Sequence, residues 1–176
     1  MGAVTIWTVG HSTHDLATLV NLLQRYRIDV VADIRSQPFS RRNPQFNQKS
    51  LRSGLLAAQI EYMFLGKELG GRPPEPEFYE SDGHVRYSTV ARTRRFASGL
   101  ERLVTGAASH RVAIMCSEED PTRCHRRLLV GRVLAGRRVI VQHIRGNGQV
   151  VAEESLGPQP ADLAQGALFA PAPFSR

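Results

Sequence analysis

Five short apolar runs, Thr5 to Val9, Asp29 to Ile34, Tyr62 to Leu65, Val112 to Met115 and Val139 to Ile144, are separated by segments of helical period. That alternation leaves few folds open. Leu16, Leu19, Val20, Leu23 and Tyr26 recur at three- and four-residue spacing, and so do Phe96, Leu100, Leu103 and Val104. Leu51, Leu55 and Leu56 mark a helix between these two, and Leu128, Leu129 and Val133 mark one after them. Strand and helix in strict succession give an α/β fold with parallel strands and right-handed crossovers. The expectation is a single domain with a mostly parallel, Rossmann-like sheet of about five strands flanked by helices. The expected strand order is 3-2-1-4-5, with strands 1 and 4 neighbours where ligands bind beyond the strand carboxyl ends.

Asn147-Gly148 predicts a turn that brings a C-terminal hairpin strand back through Val150 and Val151. Helix caps are expected in the Gly10-His11-Ser12-Thr13 turn, at Asn47 and at Ser88. The stretch from Gly66 to Tyr87 is polar and irregular, longer than the ~12–15 residues usual for a structureless connection, and reads as a lid or binding loop. The domain is placed at residues 1–156, followed by a Pro/Ala-rich tail at 157–176.

The 176 residues suffice for a substantial core without disulfides. No run approaches the ~18 apolar residues that span a bilayer, and the N-terminus has neither a basic segment nor a cleavage signal. Two cysteines are too few for a secreted disulfide framework. The expected location is the cytoplasm, with no membrane partner. The net charge of +7 is almost all arginine, Lys49 and Lys67 being the only lysines. Ser36 to Ile60 carries four basic residues and no acid, and Pro121 to Arg145 carries seven arginines and no acid. Such segments favour anionic partners.

The polar chemistry falls just past the strand ends: His11 and Ser12, Arg35 and Ser36, and Cys116 to Glu119. If Pro121-Thr122 opens the following helix, Cys124 sits in its first turn beside Arg123 and Arg126, where a thiolate is favoured. The alternative is a small packing residue. A cysteine-phosphatase loop would need an arginine six residues on, where this chain has Val130. His11 is a candidate general base or acid, with Asp33 or Glu118 fixing its tautomer. The competing reading makes His11 a cap and Asp33 the partner of Arg35 or Arg41. Arg35, Arg41, Arg42, Arg123 and Arg126, helped by Ser12 and Ser36, form the candidate anion-binding set. Cys116, Cys124, His125 and His11 could supply metal ligands, but Cys-x7-Cys-His is not a zinc-finger spacing, so no metal site is assigned. No Gly-x-Gly-x-x-Gly follows the first strand and no Walker Gly-Lys-Ser/Thr is present, so ordinary dinucleotide and P-loop binding lack support.

Val9-Gly10-His11-Ser12, Asp33-Ile34-Arg35-Ser36-Gln37-Pro38, Ser40 to Asn47, Leu69-Gly70-Gly71-Arg72, and Cys116-Ser117-Glu118 followed by Cys124-His125-Arg126 stand in order along the chain. Together they resemble the prokaryotic family known as domain of unknown function 488, from about Thr5 to Ile144. Members often carry an aromatic where this chain has Thr122. The resemblance implies a fold and a site, but no reaction and no cofactor. The reading that follows is an enzyme binding a small phosphate-bearing or nucleic-acid-derived anion, with His11, Cys124 and Glu118 as catalytic candidates. The alternatives are a nucleic-acid-binding module with a basic face, and a thiol- or metal-based sensor using Cys116 and Cys124.

Overall fold

A computed structural model describes residues 3–159. Among them, six strands form one sheet: β1 Thr5–Gly10, β2 Val30–Asp33, β3 Glu61–Phe64, β4 Val112–Cys116, β5 Ile140–Ile144 and β6 Val150–Ala152. β1 to β5 are parallel, and β6 returns antiparallel on β5 through the Asn147-Gly148 turn, with Gly148 at φ 82°. The helices are α1 Leu16–Arg25, α2 Gln48–Ala57, α3 Gly66–Leu69, α4 Tyr87–Val90, α5 Arg94–Ala107 and α6 Arg132–Gly136, with a π-helical turn at Arg126–Gly131 leading into α6. The α/β class and the hairpin strand agree with the sequence.

The strand order corrects the expectation. It is β3-β2-β4-β1-β5-β6, so β4 lies between β1 and β2 rather than outside β1. Alternation of strand and helix does not fix order. Uniform apolarity is the better guide: Val112-Ala113-Ile114-Met115-Cys116 is buried throughout, as a central parallel strand requires. The neighbourhood of strands 1 and 4 survives the change, in register Gly10 to Cys116.

Two apolar layers cover the sheet. Leu19, Leu22 and Leu23 of α1 and Leu51 and Leu55 of α2 pack with Val9, Val31 and Met115 on one face. Phe96, Leu100 and Leu103 of α5, Leu69 of α3, and Leu129 and Val133 pack with Ile6, Ile114 and Val141 on the other. The chain therefore leaves β1 and β2 toward one face and leaves β4, between them, toward the opposite face. That divergence opens a crevice at the carboxyl ends of the strands.

Asp15, not the Gly10 to Thr13 turn, caps α1, accepting from Thr18 N at 2.7 Å. Asn47 stands at the α2 cap position, but its Oδ1 accepts from Ser40 N at 2.7 Å and so shapes the preceding loop. Thr93 rather than Ser88 caps α5, because Ser88 belongs to the separate short α4. The Gly66 to Tyr87 segment is not structureless. It holds α3, a 3₁₀ turn at Pro76–Phe78 and a Tyr79–Val85 bridge, and Glu75 ties it to Arg95 of α5 at 2.6 Å. Of the tail, residues 160–176 lie outside the described residues.

Candidate active site

Cys116 ends β4, and its sulfur faces the carboxyl-end crevice. The chain then runs out as a loop, makes a 3₁₀ turn at Pro121–Arg123 and passes through an extended Cys124 before the π-helical turn begins at Arg126. Cys124 thus precedes the helix instead of occupying its first turn. This corrects the premise, drawn from Pro121, on which a Cys124 thiolate rested. The path brings His125 Nδ1 to 3.7 Å from Cys116 Sγ and 3.9 Å from Cys124 Sγ. Both cysteines are buried and both thiols are free. The Cys124 thiol and His125 hold Cys116 well below the ordinary thiol range despite its burial. The same pairing with Cys116, together with burial, pushes Cys124 up. The favoured thiolate is therefore Cys116. Backbone N–H groups of Glu118 and Arg126 also point at the two sulfurs, one at each.

Beside this cluster, Asp33 at the end of β2 grips Arg35 with both carboxylate oxygens, Nε to Oδ1 at 2.9 Å and Nη2 to Oδ2 at 2.7 Å. Tyr62 on β3 donates to the same carboxylate at 2.8 Å. Burial, then the Asp33 charge, raises the Tyr62 phenol and keeps it a donor. Arg35 Nη1 reaches His11 Nε2 at 3.2 Å, while His11 Nδ1 bonds the Ser12 carbonyl at 2.8 Å. A carbonyl only accepts and a guanidinium only donates, so His11 is neutral, with its proton on Nδ1. Burial, first, and the Arg35 charge hold its pKa down, against the Ser12 bond. Its ring stacks on Phe46 at 4.2 Å.

Arg126 is fully buried and takes two carbonyls of the loop after β4, donating from Nη1 to Glu118 and from Nη2 to Glu119 at 2.5 Å. Its Nε donates to Thr8 Oγ1, which contacts His143 Nδ1 at 2.8 Å; His143 Nε2 reaches Glu153, and Arg127 holds the other oxygen of that carboxylate at 2.9 Å. Gly10 completes the loop's seat: a Cβ there would collide with the Glu118 carbonyl, whose carbon would lie at 2.6 Å.

A pocket of about 600 Å³ opens over the two sulfurs and His125. Arg35 and Ser36 form part of its wall, with Arg72, Tyr87, Glu118 and Arg123. Arg72 and Arg123 are exposed and have no carboxylate partner among the described residues. Phe39, 66% exposed, stands on the same wall. Burial and the nearby sulfurs push the Tyr87 phenol up to about 12. Gly71 packs flat on His125, where a Cβ would lie 2.5 Å from the ring's Cγ. Ser36 Oγ accepts from the Arg72 backbone at 2.9 Å and so fixes the rim.

Of the sequence-derived candidates, Cys124, Glu118, Arg35, Ser36 and Arg123 line this pocket. His11, Ser12, Arg41, Arg42 and Arg126 do not. His11, Arg35 and Arg126 are committed to buried partners, and Arg41 and Arg42 are exposed away from the wall. The seven arginines from Pro121 to Arg145 do not act as one face, since Arg137 pairs with Glu101 and Arg145 with Glu119. Arg72 and Tyr87 escaped sequence reasoning, although Arg72 follows the Gly70-Gly71 pair that shapes the rim. His125 entered only among the possible metal ligands, not as the hub of the site.

Fold and site define a three-layer α/β/α protein with a thiol–imidazole pocket at the strand carboxyl ends. The chain belongs to the family described as Domain of unknown function DUF488, whose model matches residues 15–133. β1 and β5 lie outside that match, which is shorter than the Thr5 to Ile144 span expected. No curated protein and no solved structure matches the chain. No helix of the described residues is long and apolar enough to cross a membrane.

Proposed function

We propose that the protein is an enzyme acting on a small phosphate-bearing substrate held over the Cys116–Cys124–His125 cluster. One observation carries this reading. Two guanidinium groups without carboxylate partners among the described residues, Arg72 and Arg123, border the same pocket whose depth holds the sulfurs and the imidazole. Guanidinium forks select phosphate, and a crevice beyond parallel strands is where α/β proteins bind ligands. The exposed ring of Phe39 on the wall offers a flat apolar face to a base or similar ring, which favours a nucleic-acid-derived substrate. Arg35, tied to Asp33, Phe46 O and His11, serves in this reading as a strut.

The test is calorimetric titration with inorganic phosphate, pyrophosphate and nucleoside monophosphates, repeated with Arg72→Ala and Arg123→Ala. Saturable binding that each variant weakens by about tenfold or more supports the reading. Failure of every small anion to bind, with strongly salt-dependent binding to an oligonucleotide instead, would replace it by the nucleic-acid module.

A further inference from the structure

We propose that Cys116, Cys124 and His125 form a three-ligand zinc site whose fourth position faces the pocket. The three donor atoms lie within 4.8 Å of one another, the one such group among the described residues. The spacing suits the ion. Zinc–sulfur and zinc–nitrogen bonds of about 2.3 and 2.1 Å at a tetrahedral angle place sulfur and nitrogen about 3.6 Å apart. The observed separations are 3.7 and 3.9 Å.

The surroundings argue for the same occupant. His125 Nε2 lies 3.0 Å from the Ile34 carbonyl, which can only accept, so this nitrogen carries a proton and Nδ1, on the side of the sulfurs, is the atom left to ligate. A ligating histidine is ordinarily anchored in this way through its other nitrogen. The N–H groups of Glu118 and Arg126, each two residues after its cysteine, stabilise sulfur in its anionic form. Two thiolates, a neutral imidazole and a divalent ion sum to zero, which removes the cost of a buried uncompensated thiolate. No carboxylate joins the set among the described residues, so one tetrahedral position stays open. All three ligand residues line the pocket, which is the open space from which a fourth ligand could approach.

Two thiolates, one histidine and an open position constitute a catalytic rather than a structural donor set. A water there would be acidified toward a pKa of about 7, and a phosphoryl or carbonyl oxygen there would be polarised. The use of the open position rests on the pocket being the active site proposed above. The metal site itself does not.

The experiment uses the full chain, reduced and stripped with a chelator. Zinc is titrated against a chromophoric competitor, and cobalt is added separately for its visible spectrum. We expect one zinc per chain and the intense d–d and thiolate charge-transfer bands of tetrahedral cobalt. Cys116→Ser, Cys124→Ser and His125→Gln should each weaken zinc at least by the ~100-fold that even outer-sphere partners are worth. The cobalt spectrum is read on the unmutated chain, so a variant that fails to fold does not cloud the result. Absence of cobalt bands and of stoichiometric zinc in the reduced wild-type protein overturns the proposal. Arg72→Ala separates the two readings: it should leave zinc affinity unchanged while weakening phosphate. Zinc binding without any anion binding would keep the metal site and discard the substrate.

Discussion

The imidazole of His125 is bonded to the carbonyl of Ile34 at 3.0 Å across 91 residues of chain, and this one bond sets the chemistry of the pocket. Ile34 is the first residue beyond β2, and its own N–H is bonded to Met115 O of β4. The ring is therefore referenced to the rigid centre of the sheet, although it belongs to a segment entered through a loop. Its free nitrogen is aimed at two sulfurs that come from β4 and from that loop. Placing a site on sheet-anchored atoms holds its geometry more tightly than loop packing could.

Asp33 and Tyr62 provide a graded test of the support beneath the site. Asp33→Asn leaves the buried Arg35 guanidinium without its counter-charge and should cost about 3–5 kcal/mol. Tyr62→Phe removes one hydrogen bond to a carboxylate that keeps its arginine, and should cost about 1–2 kcal/mol. Urea denaturation of both variants checks the ranking. Equal losses would show that Arg35 does not depend on Asp33.

Arg126→Lys keeps the charge but cannot span Thr8 and the two carbonyls of Glu118 and Glu119. With at least one buried acceptor left unsatisfied, the loss should be about 2–3 kcal/mol. Proteolysis should then open the chain first between Ser117 and Arg123. A variant as stable and as protease-resistant as wild type would mean that the loop needs no clamp.

Glycine positions separate close packing from open space. Gly71→Ala drives a methyl into the His125 ring and should cost about 1–3 kcal/mol. Gly106→Ala, on α5 with nothing within 4 Å of the added carbon, should instead stabilise by up to about 1 kcal/mol. Thermal melts of the pair should move in opposite directions. Shifts of the same sign would contradict the packing described for Gly71.

Glu119 gives a pH signature. Arg145 beside it, helped by the Gly146 N–H, lowers its carboxyl from an ordinary 4.5 to about 2. A depressed carboxyl contributes its full stabilisation above the unfolded value, and loses it as pH falls from about 4.5 toward 2. Glu119→Gln should therefore be less stable than wild type at pH 7, by about 1 kcal/mol or less because the pair is partly exposed. The gap should close on acidification. Urea midpoints at pH 7 and pH 3 measure it, and a gap that stays constant or widens at pH 3 would contradict the assignment.

The sequence disclosed the architecture where one rule acted alone. Short apolar runs set between segments of helical period marked all five parallel strands, and Asn147-Gly148 marked the hairpin. Strand order escaped because it depends on which strand is buried on both faces, and that is settled by comparing β4 with β1 rather than by reading either. Site residues divided along a similar line. Cys116, Cys124 and Arg35 stood out by type and by position past strand ends. Their roles did not, because a guanidinium paired with Asp33 and one exposed at Arg72 look alike in a sequence. The turn at Pro121–Arg123, which delays the helix to Arg126, brings Cys124 and His125 to the Cys116 sulfur, and no sequence pattern announces it.

The relay from Arg126 through Thr8 and His143 to Glu153 and Arg127 redraws the boundary of the working unit. The matched family segment ends at residue 133 and begins at residue 15. Yet Thr8 precedes it, and both His143 and Glu153 follow it. A fragment trimmed to the match would keep both cysteines and His125 while cutting away the groups that satisfy the arginines on which the loop is seated. Everything that could touch a ligand would be present, but the Arg126 clamp on the loop after β4 would lose its outer partners.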